Sequence, residues 1–226
     1  MFDRIVGDDG MNESEVKFIF YQILRAVQHL HRKNICHRDI KAENILLDSK
    51  LPFSRALLAD FGMSKIADNL KYTSTLNIVN YTRTKCGTAN YLAPEVMDSP
   101  QGYTKQVDCW SLGVLLYTMI QGNLPFRPMY RNGAEVEGSL LESIRKGQID
   151  FTDDKWKKTS RELRSVIRYY LYLMLILTPS RNRNFLNVDP IERMSVEEAF
   201  AHPWIADSLD ILKKLYCKML VRAGYL

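Results

Sequence analysis

Apolar residues at Val16, Ile19, Phe20, Ile23, Leu24, Val27 and Leu30 recur at the three-to-four spacing of one helix face. Asn12 stands where an N-cap belongs, with Glu15 three residues on as in a capping box. The spacing therefore predicts a helix that buries one stripe and ends near Lys33 and Asn34. The pattern then shortens. Ile45-Leu46-Leu47 and Ala56-Leu57-Leu58-Ala59 are short apolar runs between polar or Pro-containing stretches, which suits two short strands flanking a loop. Residues 63–92 are polar and rich in Thr, Asn and Lys, a length of loop that hints at function inside a compact domain. Around 107–121 the chain is apolar almost all round (Val107, Trp110, Leu112, Val114, Leu115, Leu116, Met119, Ile120), which predicts a helix at the centre of a core. Amphipathic segments follow at 139–146, 160–177, 195–201 and 207–220, and Pro203 marks a break between the last two. A mainly helical fold with a little strand is expected.

Composition adds bounds rather than direction. The 226 residues are 46% hydrophobic and 25% charged, as in an ordinary globular protein with a core of useful size. The formal charge of +5 is mild, and no dense basic run with interleaved aromatics points to nucleic acid. Cys36, Cys86, Cys109 and Cys217 are widely spaced and contain no CxxC pair, so reduced thiols in the nucleus or cytoplasm are expected rather than a zinc site or a disulfide framework. The run Tyr169 to Leu177 is too short to span a bilayer as a helix, and no membrane association is expected.

Candidate chemistry lies between the helix at 14–32 and the polar loop. His37-Arg38-Asp39 is followed by four residues and then Asn44, the spacing of a kinase catalytic loop. Phosphoryl transfer asks an enzyme mostly to position groups and neutralise charge. A carboxylate must orient the attacking hydroxyl and accept its proton, and Asp39 is the candidate. A hard oxygen ligand for magnesium belongs beside it, and Asn44 is the candidate. Lys41 can meet the transferring phosphate as a point charge. Asp60, sixteen residues after Asn44, supplies a second metal ligand. Phe61 packs, and Gly62 permits an unusual backbone conformation. Either motif alone is weak; together, in order and with Ala93-Pro94-Glu95 behind them, they are specific.

With these residues the chain resembles, over essentially its whole length, the C-terminal lobe of Ser/Thr protein kinases. The resemblance implies a lobe over 1–206 with short β-hairpins at the catalytic loop and metal-binding segment, and a C-terminal helical extension over 207–226. It implies ATP and magnesium as cofactors, protein Ser and Thr hydroxyls as substrates, and Lys41, Glu43, Leu46 and Asp60 on the cofactor side, with Leu46 under the adenine. Lys41, two residues after the catalytic Asp, is typical of the Ser/Thr class. Arg38 matches the arginine that clamps a phosphorylated activation loop, with Thr84 first and Thr88 second as phosphoacceptors for an activating kinase or for autophosphorylation in trans. His37 belongs to the catalytic-loop motif. Asp108, in Asp108-Cys109-Trp110-Ser111-Leu112-Gly113, resembles the buried Asp that holds the catalytic-loop backbone, and Glu95 with Arg193 resembles a buried ion pair. Residues 82–95, 102–108 and 201–205 are similar to the calcium/calmodulin-dependent-kinase-like group, and among these to checkpoint kinases of DNA damage or meiosis that bear a forkhead-associated domain.

Two departures stand out. A Gly-rich loop, a strand Lys and a helix Glu are not found upstream of Asp39, so the ATP-binding lobe is expected to be absent from this chain, and the 226 residues alone are expected to be inactive. Residues 169–183 interrupt the family pattern, either as an extended helix plus loop or as a gene-model error. A non-catalytic interaction module that binds through the helices at 139–146 and 195–220 is the rival reading.

Overall fold

The computed structural model describes residues 1–7, 11–66, 88–98, 104–167 and 184–225. Thr84, Cys86 and the stretch 169–183 lie outside them.

The chain opens with a short helix α1 (Phe2–Gly7) and then the long α2 (Glu13–Arg32). Asn12 caps α2 as its position suggests, its side chain accepting from the Glu15 amide at 3.0 Å. The Glu15 carboxylate is paired with the Arg4 guanidinium, which ties α1 to α2. Val16, Ile19, Phe20, Ile23, Leu24 and Val27 are all buried, each burial contributing roughly 1.5–3 kcal/mol. The helix stops at Lys33, and Asn34 turns the chain out with φ 60°.

Among the described residues three two-stranded sheets follow the same plan of short antiparallel pairs. Strand β1 (Ile35–Cys36) pairs with β4 (Lys65–Ile66), and β2 (Ile45–Leu47) pairs with β3 (Ala56–Leu58) in the register Ile45 to Leu58. Strands β5 (Tyr130–Arg131) and β6 (Ala134–Glu135) form an exposed hairpin that the apolar pattern did not announce. Gln22 on α2 fixes the second pair from below. Its side chain accepts from the Ala56 amide at 3.0 Å and donates to the Ser54 carbonyl at 3.0 Å.

Helix α3 (Pro94–Asp98) precedes α4 (Gln106–Gln121), whose residues from Val107 to Ile120 are buried on every side. This is the central helix that its all-round apolar sequence demands. Around it lie α5 (Ser139–Lys146), α6 (Asp154–Lys157), α7 (Arg161–Ile167), α8 (Val196–Ala201), α9 (Pro203–Ala206) and α10 (Leu209–Arg222). The remainder of the helix expected over 160–177 lies outside the described residues. Pro203 does break the chain, and it also occupies the first turn of α9, where its missing N–H costs nothing. Glu13 at the head of α2 accepts from the Ser160 amide at 2.7 Å and from the Trp204 indole at 2.8 Å, and so joins α2, α7 and α9. Among the described residues no helix is long and apolar enough to cross a membrane.

Candidate active site

The loop from His37 to Asn44 is suspended from the central helix. Asp108, fully buried in the first turn of α4, accepts from the His37 amide at 2.9 Å and from the Arg38 amide at 2.8 Å. His31 Nε2 meets the same carboxylate at 2.9 Å. Arg38 sits at φ 69°, a region that costs a non-glycine residue roughly 1–3 kcal/mol, and the two amide bonds to Asp108 hold it there. Asp108 thus ties the backbone of His37 and Arg38 to α4. His31 was not singled out from the sequence, yet it falls four residues after Val27 on the buried stripe, and a histidine at that spacing is the signal that could have found it. Lys105 donates to the His31 carbonyl and to Asn34 Oδ1, both at 3.1 Å, and secures the end of α2 against the start of α4.

His37 fixes the next link. Its Nδ1 accepts from the Asp39 amide at 3.3 Å while Nε2 faces the Ala59 carbonyl at 3.1 Å, which assigns the proton to Nε2 of a neutral ring. Burial lowers its pKa, with the Asp108 carboxylate opposing. His202 is held alike, with Nδ1 accepting from the Trp204 amide at 3.2 Å, Nε2 at 3.0 Å from the Ser165 hydroxyl, and burial again lowering the pKa. A histidine whose folded pKa lies below its unfolded value takes up protons on unfolding, so stability is full above the unfolded value near 6.5 and falls as pH drops through it. Urea midpoints are therefore expected to decline between pH 7.5 and 5.5, and the decline to be shallower in His202→Gln. A midpoint that is flat over this range in the unaltered protein would contradict the assignment.

Asp39, Lys41 and Asn44 converge. Asp39 Oδ2 lies 2.8 Å from Lys41 Nζ and 2.8 Å from Asn44 Nδ2, which also donates to the Asp39 carbonyl at 2.8 Å. The 3₁₀ turn Ala42–Asn44 brings Asn44 back onto Asp39 and leaves Glu43 exposed. Asp60 reaches the same end of the β2–β3 pair through register. Ile45 stands opposite Leu58, the Ala59 amide donates to the Asn44 carbonyl at 2.8 Å, and Asp60 follows directly. Leu46, 52% exposed, lies opposite Leu57 on the open face of this hairpin. Phe61 meets the His37 ring edge-on at 4.9 Å, with half its surface still open.

One expectation is corrected. The residue in the left-handed region is Asp60, at φ 61°, and Gly62 is not among the positive-φ glycines. The need at position 62 is for space. The Gly62 amide donates to Asp60 Oδ1 at 3.1 Å, and a Cβ added there would stand 3.1 Å from the same oxygen.

Farther out, Arg193 is wholly buried and forms the expected pair with Glu95 in a forked geometry, Nη1 to Oε1 at 2.6 Å and Nη2 to Oε2 at 2.8 Å. Its remaining donors go to the carbonyls of Asn187, Gln106 and Val188. Thr88 opens the 3₁₀ turn Thr88–Tyr91. Arg38 Nε donates to the Met63 carbonyl, and its proposed partner Thr84 is outside the described residues. Burial raises the thiols of Cys36 (to about 12) and Cys109, so neither is a nucleophile at neutral pH.

The donor set fits magnesium: a carboxylate from Asp60 and an amide from Asn44 are hard oxygen ligands at one end of one hairpin. Among the described residues no group of three or more His, Cys, Asp and Glu converges on a metal.

Comparison with known proteins agrees with this geometry. The protein kinase domain family matches residues 1–205. MAP kinase-activated protein kinase 2 of Cricetulus longicaudatus is 36% identical over 214 residues, 93% of this chain and 56% of the relative. The Oryctolagus cuniculus protein of the same name is also 36% identical, with 51% of its length covered. A putative ribosomal protein S6 kinase alpha-2 of Caenorhabditis elegans is 35% identical over 92% of this chain and 25% of the relative. The chain spans about half the length of the first curated relatives it matches. The chain belongs to the protein kinase domain family.

Proposed function

We propose that this chain is the catalytic lobe of a protein kinase that moves the γ-phosphate of ATP to Ser or Thr hydroxyls of other proteins. The observation that carries it is the meeting of Lys41 Nζ and Asn44 Nδ2 on one oxygen of Asp39, each at 2.8 Å. Asp39 receives the hydroxyl proton and Lys41 steadies the phosphate by charge. Asn44 and Asp60 would hold magnesium, which would supply neutralisation of phosphate charge. Glu43 and Leu46 complete the cofactor side. Activation runs through Thr84 or Thr88, phosphorylated by another kinase or in trans, with Arg38 as the pairing cation. The words of residues 82–95 and 102–108 support a checkpoint kinase acting in nucleus or cytoplasm, within the same broad group as the MAP kinase-activated relatives.

Two protein forms test this. Residues 1–226 alone are expected to transfer no phosphate. The same residues joined behind the ATP-binding lobe of the Oryctolagus relative are expected to phosphorylate Ser and Thr peptides, not Tyr peptides, and only with magnesium present. A joined protein that is folded and binds ATP but phosphorylates no hydroxyl would leave the interaction-module reading in its place.

A further inference from the structure

Helix α10 does not end as a fraying tail. Its last turn closes with two bonds, the Gly224 amide to the Val221 carbonyl at 3.1 Å and the Tyr225 amide to the Leu220 carbonyl at 3.0 Å. With Gly224 at φ 73°, this is a Schellman cap, which turns the following residue back over the helix. The residue turned back is Tyr225, and its ring lies 4.0 Å under the Arg55 guanidinium. Arg55 belongs to the turn between β2 and β3, where its amide donates to Asp48 Oδ1 at 3.0 Å and its carbonyl accepts from the Asp48 amide at 3.1 Å.

The other contacts of α10 run along α2. Leu212 is buried, and the Tyr216 ring meets the Tyr21 ring at 6.1 Å and lies 5.3 Å from the Arg25 guanidinium. Lys17 on α2 donates to Ser208 at the head of α10, at 3.4 Å. The helix is thus fixed at both ends and in the middle, and it bridges from α9 to the turn of the catalytic hairpin.

We propose that α10 is a strap that holds the β2–β3 hairpin closed through Tyr225 on Arg55, and that its release is a means of loosening that hairpin. The far end of the hairpin carries Asn44 and Asp60, so a released strap would also disturb that end; this last consequence rests on the reading of those two residues as metal ligands. The strap itself does not. Tyr225 is 60% exposed, so the latch is weak enough to be undone without unfolding the core.

Amide hydrogen exchange of the chain measures it directly. Tyr225→Ala removes the ring, and exchange in residues 45–58 is expected to rise roughly two- to five-fold, the range an exposed cation–π contact allows. Exchange in the core residues 112–120 is expected not to change. Tyr225→Phe keeps the ring and is expected to match the unaltered protein. Gly224→Ala disfavours the left-handed turn and is expected to act in the same direction as Tyr225→Ala. The proposal is overturned if Tyr225→Ala leaves residues 45–58 unchanged, if it speeds the core by the same factor, or if Tyr225→Phe behaves as Tyr225→Ala. None of these outcomes depends on phosphate transfer, so failure here would leave the kinase reading standing.

Discussion

Asp108→Ala is expected to lower the unfolding free energy of the chain by about 3–5 kcal/mol, a large part of the roughly 5–15 kcal/mol that holds a domain together. The carboxylate is fully buried and accepts from two backbone amides, with His31 as a third partner. Truncation orphans the amides of His37 and Arg38, and each buried unpaired donor costs about 1–3 kcal/mol. It also removes the amide hydrogen bonds that hold Arg38 at φ 69°, so the loop is expected to relax to an ordinary conformation. Asp108→Asn is expected to fall between. Its single carbonyl oxygen can serve one amide, while its NH₂ presents a donor to another donor. Urea unfolding followed by tryptophan fluorescence measures both, since Trp110 sits two residues away in the core. A loss under 1 kcal/mol for the alanine variant would mean that the loop is held by something other than α4.

The reason Asp108 could be picked out is instructive. It was picked out by resemblance, through Asp108-Cys109-Trp110-Ser111-Leu112-Gly113, and the fold supplies the physical reason, since an aspartate inside an all-round apolar helix has to be paired. The helices with strong periodicity, at 13–32, 106–121, 139–146, 196–201 and 209–222, fall where the apolar spacing puts them, because burial of a stripe decides their position. What stayed hidden is what burial does not decide. Helices α1, α3 and α6 are four to six residues long and carry few apolar repeats; α8 is as short, and was read because its segment 195–201 is amphipathic. The β5–β6 hairpin is exposed on both strands, so no alternation marks it.

The site was legible to different depths. Asp39, Asn44 and Asp60 came from spacing, since the chemistry needs those residue types near each other. The Glu95–Arg193 pair came only from resemblance; nothing local distinguishes Arg193 from a surface arginine, and its burial depends on residues 98 positions away. The role of Gly62 was misassigned because sequence cannot separate a glycine kept for φ from one kept for space. The folded chain separates them, with Asp60 taking the left-handed turn and Gly62 giving its carboxylate room. His31, Gln22 and Glu13 passed unnoticed for a common reason. Each is a polar residue whose partner is distant in sequence, and only the folded chain brings the two together.

Asp39→Asn, made in the joined protein, is expected to cut the rate of phosphate transfer about 10²–10⁴-fold, the range for loss of a positioned proton acceptor. The change should leave folding nearly untouched. Asparagine keeps the size of the side chain, and its oxygen can still accept from Asn44 Nδ2. It loses the charge that faces Lys41 at 2.8 Å, a largely buried pair, but the flexible Lys41 stem can turn its ammonium out to water, which holds the expected loss to about 1 kcal/mol. The urea midpoint is therefore expected to stay close to that of the unaltered protein, and the KM for ATP to change little, since the role proposed for Asp39 is at the acceptor hydroxyl rather than at the nucleotide. This separation is the point of the experiment. Asp108 fastens the loop from α4, whereas Asp39 stands on the loop itself and, in the proposed function, acts from it. If Asp39→Asn lost stability and activity together, as Asp108→Ala should, Asp39 would be another fastening of the loop and the assignment of the base would fail.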